Sequence, residues 1–387
     1  MSRDPYPTDG ADPPDTLADE AACMRRALEL AARGEGAVEP NPMVGCVVAR
    51  RTDAGAYRVV GEGWHARFGG PHAEAAALAQ AGDKARGATL FVTLEPCAHT
   101  GKTPPCVEAI LHAGVERVFA AVRDPDPRVD GGGFERLRRE GVACEVGQGG
   151  AEALRLLAPY LKLQQRGLPW VIAKWAMTLD GKIAAAGGDS QWISGDESRK
   201  QVHRLRGVVD AVVVGPGTLA ADDPLLTARP PGPRVPLRIV VGLTRPGPPT
   251  RRLFDSLADG PVLAAVGADY PASDAEALRS RGVEVLVTEG QDLGGIAACT
   301  LEELGRRRLT NVLVEGGGGL LGALFDRDAI DEARVFLAPK VIGGAGAPGP
   351  VAGTGLERIA DARVFEPLSC EQFGDDLCVT TRRRPPL

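Results

Sequence analysis
The sequence predicts two α/β domains in tandem, the first a three-layer unit, and three observations carry that prediction. The chain has 387 residues, more than one ordinary domain of roughly 100–200 residues holds. A hydrophobic content of 44% supplies apolar surface for two separate cores. Short β-branched runs alternate with amphipathic helical stretches on both sides of Gly167-Leu168-Pro169, the predicted boundary. Glycine (50) and proline (31) are abundant, yet together they stay below the roughly 25–30% of low-complexity chains.

Residues 1–16 are rich in Pro and Asp and are expected to form a disordered tail. They lack the basic and apolar stretches of a signal peptide. The first domain is expected over 17–148. Leu17 to Arg33 reads as an amphipathic helix, with Leu17, Ala21, Met24, Leu28 and Ala31 on one stripe. Asn41-Pro42 breaks the chain before a strand at Val44–Ala49, with a partner near Val59–Trp64. His72–Ala81 reads as a helix ended by Gly82, and Leu90–Leu94 as a short strand. Pro104–Ala113 reads as a helix with proline in its first turn and Gly114 as its cap, followed by a strand at Val115–Val122. A linking helix, Ala151 to Gln165, falls within 149–168.

The second domain, 169–384, repeats the alternation. Strands are expected at Trp170–Met177, Ala211–Val214, Leu237–Val241, Val262–Val266, Val283–Val287, Asn311–Val314 and Ala333–Leu337. Helices are expected near Asp196–Arg206, Ser273–Arg281, Ile296–Arg306 and Leu320–Phe325. Pro230–Pro236 reads as a surface stretch. No internal repeat relates the halves.

Forty-five Lys and Arg against 51 Asp and Glu leave a net charge of −6. That mild acidic excess gives no whole-protein field for nucleic acid. No apolar run approaches the ~20 residues that span a bilayer. Eight cysteines in this length are too sparse for a disulfide framework. Cys23, Cys46, Cys144, Cys299, Cys370 and Cys378 read as reduced packing residues, so a soluble cytoplasmic protein is expected, without nucleic-acid or membrane partners.

Chemistry is concentrated in His72-Ala73-Glu74 and in the run from Pro96-Cys97 to Cys106. One imidazole and two thiolates suit a zinc site whose fourth position stays open to water. Both segments fall at predicted helix N-termini, where the partial positive charge favours thiolate. Zinc brings the pKa of a bound water from about 15.7 toward 7. A glutamate two residues after the histidine reaches that water without ligating, so Glu74 is the expected proton carrier. His-x-Glu alone is an ordinary helix start; the two cysteines at this distance after a strand make it specific. This is the arrangement of zinc deaminases of nucleobases, which commonly place two residues between the cysteines. Eight separate them here, which marks a subtype. His99 and Lys102 lie between the cysteines; Lys102 could face an anionic group. His112 reads as a helix-surface residue.

In the second half, strand Asn311–Val314 runs into Glu315-Gly316-Gly317-Gly318-Gly319, and Gly317-x-Gly319-x-x-Gly322 formally matches a dinucleotide fingerprint. It lies late in its domain, and no acidic residue ends a strand about 20 positions on, so a Rossmann unit is rejected while phosphate cradling by the loop is kept.

Asn41-Pro42-Met43-Val44-Gly45-Cys46, Gly61-Glu62-Gly63-Trp64-His65, His72-Ala73-Glu74 and Thr93-Leu94-Glu95-Pro96-Cys97 with Gly101-Lys102-Thr103-Pro104-Pro105-Cys106 resemble the deaminase half of the bifunctional RibD family of riboflavin biosynthesis. Lys174-Trp175-Ala176-Met177-Thr178-Leu179-Asp180-Gly181-Lys182, Ser190-Gln191-Trp192-Ile193-Ser194, Gly217 to Pro224 and Val314-Glu315-Gly316-Gly317 resemble its reductase half. The resemblance implies a cytidine-deaminase-like domain followed by a dihydrofolate-reductase-like one, with zinc and NADPH as cofactors. It implies zinc ligation by His72, Cys97 and Cys106, proton shuttling by Glu74, and deaminase substrate contacts from Asn41, His65, Lys102 and Asp124. In the second half it implies cofactor contacts from Ala176, Trp192, Thr218, Asp222 and the loop Gly317, Gly318, Gly319, Leu320, Leu321, Gly322 and Ala323. Ser190, Arg206, Leu226, Arg229 and Glu315 are the implied substrate contacts. Arg206 and Arg229 suit a sugar phosphate, because guanidinium pairs with it bidentately. No side chain stands out as an essential acid for the reduction.

One departure is expected to matter. Family members often carry Asp-Ser after the third strand of this half, where this chain has Gly242-Leu243. The expected activity is hydrolytic deamination of 2,5-diamino-6-(5-phosphoribosylamino)pyrimidin-4-one, then NADPH-dependent reduction of the ribosyl chain. A homodimer or higher homo-oligomer is expected. Two rivals are a nucleic-acid cytosine or adenine deaminase, disfavoured by the acidic charge and the long inter-cysteine loop, and a non-catalytic zinc-stabilised metabolite-binding protein. The second is disfavoured because a structural zinc needs a fourth ligand rather than a glutamate beside an open position.

Overall fold
The computed structural model describes residues 15–98, 105–124, 132–244 and 251–384, and the chain divides into two units between Arg166 and Gly167. The first contains β1 (Thr16–Leu17), α1 (Glu20–Ala32), β2 (Gly45–Arg51), β3 (Tyr57–Trp64), α2 (Ala73–Ala81), β4 (Thr89–Leu94), α3 (Cys106–Ala113), β5 (Arg117–Val122), α4 (Gly132–Arg139), β6 (Ala143–Val146) and α5 (Gly150–Arg166). Its sheet runs β1-β3-β2-β4-β5-β6, antiparallel on either side of β2 and parallel from β4 to β6.

Glycines set the layering. Gly45 and Cys46 are successive strand residues and so point to opposite faces. A Cβ on Gly45 would run into the Ala27 backbone of α1, whereas Gly63, opposite Cys46 in register, lies against Ala73 and Ala77 of α2. Helices α1 and α2 therefore cover opposite faces of one sheet, which makes the three layers. Phe91 lies between Tyr57 and Phe119 in the core, edge-on to the first at 5.3 Å and stacked on the second at 5.1 Å. Helix α5 adds Ala153, Leu157 and Tyr160 to the same core.

Close approach of α2 to β3 is what holds the start of α2 in place. Gly63→Ala should cost roughly 1–3 kcal/mol of stability by overpacking. Because it pushes on the turn carrying His72, it should also lower bound zinc per chain, measured by metal analysis beside a thermal melt. Full zinc occupancy in the variant would show that the strand–helix spacing does not govern the site.

The second unit contains β7 (Trp170–Thr178), α6 (Asp196–Arg206), β8 (Ala211–Val214), α7 (Pro216–Asp222), β9 (Leu237–Val241), α8 (Arg252–Asp255), β10 (Val262–Val266), α9 (Ala272–Ser280), β11 (Glu284–Val287), α10 (Leu293–Arg306), β12 (Asn311–Glu315), α11 (Gly318–Asp326), β13 (Glu332–Ala338), β14 (Phe365–Phe373) and β15 (Asp376–Arg383). The strand order is β11-β10-β9-β8-β12-β7-β13-β15-β14, parallel from β11 to β13 and antiparallel beyond. Both faces are covered. Ile172, Val212, Val240, Ala264 and Leu313 join one core, and their neighbours Val171, Val213, Ile239, Leu263 and Val312 join another beneath α10 and α11. That is why these strands read as unbroken apolar runs. Among the described residues, no helix is long and apolar enough to cross a membrane.

Candidate active sites
Two helix N-termini meet in the first unit. His72 immediately precedes α2 in extended geometry, φ −72° and ψ 160°, and Cys106 opens α3 directly after Pro105. Cys97, in the loop after β4, is held by α3. Its sulfur accepts the Cys106 amide at 3.4 Å and its carbonyl accepts the Val107 amide at 3.3 Å. His72 Nδ1 lies 3.2 Å from the Cys106 sulfur and 3.7 Å from the Cys97 sulfur. All three ligand atoms lie within 4.8 Å of one another. A tetrahedral zinc at ordinary bond lengths sets nitrogen and sulfur about 3.6 Å apart. Donor set and spacing both fit zinc.

Electrostatics point the same way. The Cys106 thiol donates to Cys97 and, against burial, holds the Cys97 thiol down to about 4. As the donor, Cys106 is pushed well up. A divalent cation is what allows both to ionise together. Glu74, in the first turn of α2, is only 4% exposed. Burial first, then the Cys97 charge, raises its carboxyl to about 6, with His72 opposing. A carboxyl poised there can accept and return a proton near neutrality.

His65 is buried beside His72, ring to ring at 5.5 Å. Its Nδ1 lies 2.9 Å from the Pro71 carbonyl, which can only accept, so that nitrogen carries the proton. Burial lowers its pKa and keeps the ring neutral, leaving Nε2 to accept from Asn41 Nδ2 at 3.1 Å. The sequence-predicted pair Asn41 and His65 is thus brought together next to a zinc ligand. Asp124 is buried just beyond β5, where Tyr160 of α5 donates to its carboxylate at 3.2 Å. The sequence offers no signal for Tyr160, which reads there as one more amphipathic-helix residue. Glu95 is likewise buried and accepts the Phe134 amide at 3.2 Å, holding the start of α4. Lys102 and His99 lie outside the described residues.

In the second unit the candidate residues gather at the carboxyl ends of the parallel strands, the usual ligand side of such sheets. Arg206, at the end of α6, forms a two-pronged ion pair with Glu315 at the end of β12, at 2.5 and 2.8 Å. Burial alone would raise the Glu315 carboxyl, but Arg206 and then Lys174 hold it below the ordinary range. Lys174 is its register partner on β7, and burial lowers the lysine's own pKa. The Thr227 carbonyl accepts from both Arg206 Nη1 at 3.1 Å and His203 Nδ1 at 3.0 Å. His203 Nε2 then faces Arg229 at 3.4 Å. Sequence reasoning gave Lys174 and His203 no role. Lys174 stood in a quoted motif, and the one signal for His203 is its place one turn before Arg206.

The glycine loop turns sharply at the start of α11. Gly316 and Gly317 take φ of 67° and 77°, and a Cβ on Gly317 would come within 2.8 Å of Thr218 Oγ1. Gly317, Gly318 and Gly319 remain accessible, with free first-turn amides for a phosphate. Leu320 and Leu321 are core residues, the latter 0% exposed, and the Leu321 amide is taken by the Gly317 carbonyl. Gly322 is buried because a Cβ there would strike the Ala352 backbone. The side chains of Leu320 and Leu321 pack the helix, and Ala323 keeps some exposure.

Leu226 is held by its side chain, which leaves its backbone in the turn. It is 1% exposed within a core, and its φ of 57° turns the chain into the Thr227–Arg229 segment. Asp222 Oδ1 accepts from Ser190 Oγ at 3.4 Å. Trp192 is 61% exposed under the Arg199 guanidinium at 4.6 Å, and Ala176 is half-buried on β7. Gly242 takes a φ of 82°, and Leu293 packs where its side chain would be. Leu243 is buried in a core. Glycine and leucine at these two positions therefore serve backbone and packing.

Comparison with known proteins follows the same division. The family model described as cytidine and deoxycytidylate deaminase zinc-binding region matches residues 18–122, and the RibD C-terminal domain matches residues 169–379. The riboflavin biosynthesis protein RibD of Aquifex aeolicus is 37% identical over 361 residues, 93% of this chain and 97% of that protein. The Escherichia coli protein of the same name is 37% identical over 369 residues, 92% and 97% of the two chains. Among solved structures, Acinetobacter baumannii RibD, form 1, superposes with a TM-score of 0.79 at 34% identity, covering 94% of this chain and 99% of that one. The diaminohydroxyphosphoribosylaminopyrimidine deaminase/5-amino-6-(5-phosphoribosylamino)uracil reductase of Thermotoga maritima gives 0.79 at 34%, covering 94% and 98%. The chain belongs to the RibD family and is a bifunctional enzyme of riboflavin biosynthesis, a zinc-dependent deaminase joined to an NADPH-using reductase.

Proposed function
We propose that the first unit hydrolyses the 2-amino group of 2,5-diamino-6-(5-phosphoribosylamino)pyrimidin-4-one, and that the second reduces the ribosyl chain of the resulting uracil to ribityl. The substrates named for the Thermotoga maritima relative support this choice. The observation that carries the reading is the convergence of one imidazole and two thiols within 4.8 Å, with the buried Glu74 in the first turn of the same helix.

His72, Cys97 and Cys106 would hold zinc, which when bound supplies a water that ionises near neutral pH. Glu74 carries one proton of that water to ring nitrogen and then the second, from the new hydroxyl on the ring carbon, to the departing amine, so that ammonia leaves. Asn41 and neutral His65 hold the pyrimidine edge, with Asp124 and Lys102 as further substrate contacts.

In the second unit, NADPH when bound supplies hydride to the sugar C1. The amides of Gly317, Gly318 and Gly319 receive its phosphate, and Ala176, Trp192, Thr218, Asp222 and Ala323 line the rest of its path. Arg229 and Arg206 face the sugar phosphate, with Ser190 and Glu315 beside the ribosyl chain. As C1 gains hydride, the sugar ring oxygen needs a proton. Lys174 is the candidate donor, because burial lowers its pKa and Glu315 lies beside it. We also assign the enzyme to the cytoplasm, consistent with eight free cysteines, and expect a two-fold dimer with neither nucleic acid nor membrane as partner.

Removing zinc with a chelator separates the two reactions. Ammonia release from the diaminopyrimidine should stop, while oxidation of NADPH with the deaminated substrate should continue at an undiminished rate. Ammonia release that persists in metal-depleted protein would overturn the zinc mechanism.

A further inference from the structure
The motif Thr178-Leu179-Asp180-Gly181-Lys182 has no part in the chemistry above, and sequence alone makes it a turn. It instead anchors residues 340–353, which cross from the Trp192 loop to the start of α11. At one end, the Lys340 ammonium donates to the carbonyls of Trp192 and Ile193 at 2.7 and 2.8 Å. In the middle, Asp180 accepts the amides of Gly343 at 2.7 Å and Ile342 at 3.3 Å, and is itself oriented by the Thr178 hydroxyl at 2.6 Å. Leu179 N–H donates to the Lys340 carbonyl at 2.8 Å, Lys182 Nζ to Ala347 O at 3.1 Å, and Ile183 N–H to Pro348 O at 3.0 Å. At the far end, Ala352 N–H donates to Gly318 O at 3.0 Å in the first turn of α11.

Apart from Ala347, burial does little to hold this segment. Val341 is 71% exposed and Ile342 is exposed as well, so hydrophobic packing contributes little there. Its course is set by hydrogen bonds from Lys340, Asp180 and Lys182. Asp180 stays ionised as an acceptor across the assayable pH range, because the Thr178 hydroxyl and then the Gly343 amide hold its carboxyl down to about 2.

We propose that residues 340–353 are a strap that fixes the spacing between the Trp192 loop and the Gly317–Gly319 turn, with Lys340 and Asp180 as its positioning residues. This rests on the reading that those two segments contact NADPH. Neither Lys340 nor Asp180 need touch the cofactor. They act by keeping its two supports at the separation the bound molecule requires, so that less ordering is left to binding.

The test uses zinc-loaded, full-length enzyme. Lys340→Met should raise the KM for NADPH and its dissociation constant about tenfold, the loss of one charge-assisted hydrogen-bonding group. The kcat at saturating NADPH should stay within about twofold, because uniform binding rather than transition-state stabilisation is lost. Asp180→Asn should move the same quantity in the same direction. Lys340→Arg, which restores several donors, should recover most of the affinity. A purely structural role would not give that split between KM and kcat with rescue. Trp192→Ala reports on the underlying reading. If it weakens NADPH binding while Lys340→Met and Asp180→Asn bind normally, the strap alone is wrong. If Trp192→Ala binds NADPH as well as the parent, the cofactor assignment falls, and the strap falls with it.

Discussion
Glu74→Gln should abolish ammonia release while leaving zinc at one per chain and the reductase untouched. General acid–base groups of this kind contribute roughly 10²–10⁴-fold, and Glu74 is asked to handle more than one proton, so the loss should lie at the upper end. The substitution suits the site. Glu74 is nearly inaccessible, and burial has already raised its carboxyl to about 6. A neutral amide of the same shape therefore relieves a desolvation cost instead of adding one. The melting temperature should not fall. Metal analysis would show the His72, Cys97 and Cys106 cluster still loaded, because Glu74 is absent from that ligand set. Full activity in a zinc-loaded Gln variant would mean that another group moves the protons.

That site was legible in the sequence because its chemistry is local. Each ligand sits at or beside a helix start, and helix starts announce themselves through proline and the end of a strand. The parallel strands of the second unit were legible for a different reason. Buried on both faces, they read as apolar runs, and Ala211–Val214, Leu237–Val241 and Val262–Val266 fall where those runs lie. The elements that escaped lack such a signal. β14 is an exposed edge strand with Pro367 at an irregularity in its pairing, and Glu366, Ser369, Glu371 and Gln372 break up its apolar residues. β15 ends in Thr-Thr-Arg-Arg, and α4 opens on two glycines with no capping residue to mark it. Contacts across long sequence separations escaped too. Nothing local ties Lys340 to Trp192, Tyr160 to Asp124 or His203 to Thr227. In the glycine loop, Gly322 serves close packing on Ala352. Glycine spacing alone does not say whether the missing Cβ makes room for a ligand or for the protein itself.

Breaking the Arg206–Glu315 pair should be the most damaging single change in the second unit, in stability as well as activity. Both side chains are largely buried, at 11% and 9% exposure, and joined by two hydrogen bonds. Arg206→Met leaves the Glu315 carboxylate with Lys174 as its remaining near cation. Removing one partner of such a pair costs about 3–5 kcal/mol, or a fall of roughly 6–20 °C in the melting of a unit this size. The pair's contribution is present above the ordinary carboxylate value of 4.5 and is lost as pH falls through the depressed folded value. The difference between parent and Arg206→Met melting temperatures should therefore shrink in acid. Replacing both residues, as in Arg206→Met with Glu315→Leu, removes the uncompensated charge and should recover most of the stability. It should not recover NADPH-dependent reduction, because the guanidinium proposed to face the sugar phosphate is then gone. A double variant that is stable and still reduces its substrate at the parental rate would reduce this ion pair to a structural brace and move phosphate recognition to Arg229 alone.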